Sequence, residues 1–154
     1  MRIDVIIVCG MAAVAWATGE AMPQTTTQAI LGKWTCSSDT PYGRIVSELD
    51  YADDGSMKGL STITIPPSSG SGATIAVVET SSSWTLLDGG MIQEEVIRAE
   101  VISAKRDGRE VSRKVRGQMA RSMIRPFDPE KLEISPEGMV RFDPNTGSRT
   151  VCTR

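Results

Sequence analysis

Turns built on glycine, proline and aspartate interrupt this chain at short intervals, and between them apolar and polar residues alternate. Few architectures accept that punctuation. Arg44 to Tyr51 sets Ile45, Leu49 and Tyr51 against Glu48 and Asp50, a period of two. Asp53-Asp54-Gly55-Ser56 then has the chemistry of a hairpin turn, in which glycine supplies a positive φ. Met57 to Ile65 returns, with Met57, Gly59, Ser61 and Ile63 on one face and Lys58, Leu60, Thr62 and Thr64 on the other. Pro66 to Gly72 is a loop. Ile30 to Cys36 precedes these runs, and Ala73 to Ser82, Trp84 to Leu87 and Met91 to Ser103 follow them. The chain closes with Leu132 to Ser135, Met139 to Asp143 and Arg149 to Thr153. About eight short strands joined in chain order by tight turns predict a mainly all-β fold, an antiparallel meander forming a barrel or a sandwich.

One stretch departs from this style. Between Arg109 and Ile124, Val111, Val115, Met119 and Met123 recur every four residues, which predicts a helix near 109–124 that Pro126 would stop. Spacing by two also fits Val111 to Val115, so a strand stays open there. The same region breaks the charge balance. Arg98 to Arg125 holds nine Lys or Arg against three Asp or Glu, whereas Asp39 to Glu95 holds nine acidic and two basic residues. Arg109, Arg113, Lys114, Arg116 and Arg121 are either a solvated face or a docking surface for an anionic partner. Nucleic acid is the least expected occupant, because no aromatic residues are interleaved with the basic ones.

The first residues read as an address. A basic start at Arg2, an uncharged apolar run from Val5 to Ala17 and small residues around Ala17 and Ala21 predict a signal peptide over 1–21. The run falls short of the ~20 residues a spanning helix needs. Residues 22–29 read as a disordered polar leader, and 30–154 as one domain. No transmembrane segment is expected in the mature chain, which is placed in the periplasm or outside the cell. Cys9 leaves with the signal, and the remaining Cys36 and Cys152 form either a disulfide, the reading the compartment favours, or a reactive thiol pair.

Composition narrows the chemistry. The chain has no histidine, so a Ser-His-Asp triad, a Cys-His pair and any histidine-containing metal site are excluded. Glu94 and Glu95 are adjacent and would point to opposite faces of a strand rather than work as a pair. The serines at 81–83 have no base nearby in sequence. The expectation is a protein without enzymatic activity and without a cofactor. With 17 Lys or Arg and 19 Asp or Glu, the total charge implies no strongly charged partner.

Gly32-Lys33-Trp34 resembles the Gly-x-Trp opening of lipocalin-like barrels. Arg154, after Val151-Cys152-Thr153, resembles the arginine those folds lay against that tryptophan. Ser83 to Gly90 is similar to a tryptophan strand and tight turn found in small exported bacterial proteins of this shape. The likeness covers Ile30 to Glu100 and Lys131 to Arg154 and implies an up-and-down barrel of about eight strands, which can enclose one small ligand or be filled by side chains. The inward candidates are Ser47, Leu49 and Tyr51 on one strand and Gly59, Ser61 and Ile63 on the next, and their small members leave room for a lumen. Two functions follow. The first is a carrier or sensor of a small apolar molecule; the alternative is a periplasmic protein-interaction module, such as an inhibitor, an immunity factor or an envelope accessory protein, that uses loops or the basic stretch outside a filled barrel. If Cys36 faces Cys152 across the first and last strands, register and alternation put Trp34 opposite Arg154 on the same face.

Overall fold

The computed structural model describes residues 27–70 and 72–154, so the expected signal over 1–21 and the leader as far as 26 lie outside the described residues. A short helix α1 (Thr27–Ile30) leads into strands β1 (Gly32–Thr40), β2 (Gly43–Tyr51), β3 (Ser56–Ile65), β4 (Thr74–Leu87) and β5 (Met91–Arg106). A two-residue strand β6 (Arg109–Glu110), helix α2 (Arg113–Met123) and strands β7 (Glu130–Ser135), β8 (Gly138–Phe142) and β9 (Arg149–Thr153) complete the chain. Every neighbouring pair is antiparallel. The sheet order β4-β3-β2-β1-β9-β8-β7-β5-β6, with β4 also paired to β5, makes an eight-stranded ring with β6 appended to β5. The ring closes between β5 and β7 through only Met91↔Lys131 and Ile92↔Glu130, so a long stretch of β5 has no strand partner on that side.

Turn chemistry sets the corners. Gly55 has φ +80° in the β2–β3 hairpin, where Asp54 accepts a hydrogen bond from the Ser56 amide at 2.8 Å. Gly43 opens β2 so close to its neighbour that a Cβ would strike the Thr64 carbonyl oxygen. Where the sequence reading separates Ala73–Ser82 from Trp84–Leu87, the structure has one strand. Nothing in Ser81-Ser82-Ser83 forces a break, and register shifts at Val77/Val78 and Ser81/Ser82 let the 14-residue β4 bend around the ring instead.

The helix is shorter than the stretch 109–124. Asp107 and Gly108 both take positive φ, the signature of a two-residue hairpin, and they turn Arg109 and Glu110 back against Arg106 and Lys105 as β6. The helix begins only after Ser112, whose side chain accepts from the Val115 amide at 3.4 Å. It ends at Met123, and Ile124 is already extended. At the other end of the chain, residues 27–29, read as disordered leader, belong to α1. Burial explains this: Ile30 is fully enclosed, and its carbonyl accepts the Trp34 indole N–H at 2.7 Å.

Two apolar clusters fill the structure. The larger joins Ile30, Trp34, Tyr51, Met57, Trp84, Ile92, Leu132 and Met139 around the Cys36–Cys152 disulfide. The smaller, Ala76, Val78, Val101 and Ala104, is covered by Met119, Ala120 and Met123 of α2. The helix thus covers part of β5 around Val101 and Ala104, which β7 does not reach, since the β5–β7 register holds only Met91 and Ile92. No helix among the described residues is long and apolar enough to cross a membrane.

Candidate functional site

β2 and β3 bring the six inward candidates together, with Leu49 opposite Gly59 and Ser47 opposite Ser61. Several of them are engaged by neighbouring side chains. The Ser47 and Ser61 hydroxyls lie 2.8 Å apart and share a hydrogen bond. A Cβ on Gly59 would sit 2.7 Å from Thr80 Oγ1 and 3.1 Å from Leu49 Cδ2, so the missing side chain there leaves no space. Leu49 and Tyr51 belong to the larger apolar cluster, and Ile63 packs on the smaller one. A concavity of about 550 Å³ does open to solvent beside Trp34, Leu49 and Gly59, with Lys33, Asp50, Lys58 and Arg154 among its lining residues.

Within the barrel lies a charged cluster that the sequence reading misses. Arg141 of β8 donates from Nη1 to Glu94 Oε1 at 2.8 Å and from Nη2 to Glu94 Oε2 at 3.0 Å, a two-pronged pair. Its Nε donates to Glu130 Oε2 at 2.6 Å, and Nη1 also reaches the Tyr51 hydroxyl oxygen at 2.9 Å. The Tyr51 hydroxyl donates in turn to Glu94 Oε1 at 2.6 Å. The side chains of Arg141 and Glu94 are only 11% and 9% exposed. Burial pushes the Tyr51 hydroxyl well above its ordinary range; Arg141 opposes this and Glu94 adds to it. Burial alone would favour a neutral Arg141, but Glu94, Tyr51 and Glu130 outweigh it and hold the guanidinium charged. The cluster ties β2, β5, β7 and β8 across the seam where β5 and β7 share few backbone bonds. Glu94 is inward and Glu95 outward, as their adjacency requires. Glu94 shares its face of β5 with the buried Ile92 and Val96, and Arg141, far away in sequence, reaches it there.

The opposite seam joins β1 to β9. Cys36 faces Cys152 in register and is bonded to it. Two residues on, the Arg154 guanidinium lies 4.5 Å from the Trp34 ring centroid and donates to the Ala29 and Leu31 carbonyls at 3.0 and 3.3 Å. It therefore caps the end of α1 as well as the indole.

Of the basic candidates, Arg113, Lys114 and Arg121 are exposed on α2. Arg116 is turned back onto the sheet, where it donates to the Ile102 carbonyl at 3.0 Å. Arg109 sits apart on β6. Among the described residues, no cluster of three or more cysteine, aspartate or glutamate side chains is placed to hold a metal ion. No family model matches the chain, and no curated protein matches it.

Proposed function

We propose that this chain is an exported, non-enzymatic binding protein that acts through the outside of a filled lipocalin-like barrel, as an envelope accessory or interaction module. The observation that carries the reading is the mutual engagement of the inward residues. Ser47 holds Ser61, Leu49 and Thr80 close over Gly59, and Tyr51 is committed to Glu94 and Arg141. Export to the periplasm or beyond is supported by the apolar N-terminal run and by a disulfide that persists in oxidising compartments. A second reading, a carrier of a small apolar molecule, draws on the concavity beside Trp34 and Leu49, whose volume is in the range of ligand pockets.

Native mass spectrometry of protein purified from its own host separates the two. The expected spectrum shows the mature chain without a retained small apolar molecule. A stoichiometric adduct of a few hundred daltons, lost on unfolding, would favour the carrier and overturn the first reading.

A further inference from the structure

We propose that the outer face of α2 and the turn after it dock this barrel onto an anionic lipid surface, a proposal that rests on the outward-acting reading above. From Val111 to Phe127 the chain contains five basic residues and no acidic one. None of the five forms an ion pair among the described residues. Arg116 anchors the helix to the sheet through the Ile102 carbonyl, which leaves Arg113, Lys114, Arg121 and Arg125 exposed. Because Met119, Ala120 and Met123 pack on the β4–β5 cluster, the helix cannot turn this basic face inward.

Charge is joined by exposed apolar bulk. Ile124 is 45% and Phe127 40% exposed just past the helix, and Ile97 on β5 is 62% exposed. These residues are neighbours in the fold: the Val96 amide donates to the Arg125 carbonyl at 3.0 Å, and the Phe127 amide to the Glu94 carbonyl at 2.8 Å. The Arg125 guanidinium lies 5.4 Å from the Phe127 ring centroid. Cations that reach anionic headgroups beside side chains that enter the acyl boundary are the two signals of interfacial binding. An acidic protein fits less well. The four exposed cations have no carboxylate fixing their geometry, whereas a diffuse headgroup layer needs only their charge.

The test is co-sedimentation of the mature protein with vesicles of phosphatidylcholine alone and of equimolar phosphatidylcholine and phosphatidylglycerol. The expected result is binding to the mixed vesicles that weakens with salt, and little binding to phosphatidylcholine. The triple variant Arg113→Gln/Lys114→Gln/Arg121→Gln should bind the mixed vesicles about a hundredfold more weakly, at ~1 kcal/mol per charge. Ile124→Ser/Phe127→Ser should lose the binding that survives high salt. If the triple variant melts early, the single reversal Arg121→Glu carries the same test. Mixed vesicles bound no better than phosphatidylcholine, or bound equally by the charge variants, would overturn the proposal. Failure on vesicles with retention on immobilised polyglutamate would give this face to an acidic protein and leave the outward-acting reading standing. A retained apolar molecule inside the barrel would instead remove that reading itself.

Discussion

Arg141→Ala should destabilise the protein by about 3–5 kcal/mol, the range for removing one partner of a buried ion pair. The substitution strands the Glu94 carboxylate, whose side chain is 9% exposed, beside a Tyr51 hydroxyl that has lost its second partner. It also releases Glu130 and with it the seam between β5 and β7, where backbone pairing is sparse. Replacing the members together should behave differently. Tyr51→Phe/Glu94→Leu/Glu130→Gln/Arg141→Met removes the desolvated charges as a set and should cost far less than the single change. Urea unfolding of both variants measures the contrast, and equal losses would contradict it. The cluster also sets an alkaline limit. Tyr51 is held protonated in the fold, its folded value lying above the unfolded one, so its contribution is complete below the unfolded tyrosine value of ~10 and is lost as pH rises past it. In Tyr51→Phe that part of the alkaline loss should disappear.

Breaking the other seam should have the second large effect. Cys36→Ser/Cys152→Ser should cost about 4 kcal/mol, because the bond spans 116 residues and the chain-entropy model gives about 4.7 kcal/mol for a loop of that order. Arg154→Gln should cost roughly 1 kcal/mol, since the guanidinium over Trp34 is solvent-exposed and its attraction is screened. In a double-mutant cycle with Trp34→Phe, the two positions should couple. A disulfide-free variant as stable as the parent would show that β1 and β9 need no covalent tie to stay paired.

Much of the ring was legible because its information is local. Period-two alternation and a glycine at each reversal place β2 and β3 from their own residues. The Cys36–Cys152 register then carries Trp34 to Arg154 without further knowledge. What escaped depends on distant partners. The room suggested by Gly59 is taken by Thr80, which lies across a strand pairing that composition does not express, and Ser47 and Ser61 are hydrogen-bonded to each other. Glu94 meets Arg141 over a separation of 47 residues, a partner that nothing local identifies. β6 is two residues long, too short for any periodicity, and only its Asp107-Gly108 turn marks it. The basic run was visible, but its division into an anchoring Arg116 and an outward remainder needed the Ile102 carbonyl.

We propose that the barrel interior is occupied by its own side chains and that binding belongs to the outside. This is tested most directly by titrating the folded, disulfide-bonded protein with an apolar fluorescent probe of retinoid or anilinonaphthalene type, below the onset of unfolding. The predicted result is no saturable uptake, with Ser61→Leu leaving the titration unchanged. One-to-one saturable binding that Ser61→Leu abolishes while the fold is kept would contradict it and return the function to the lumen.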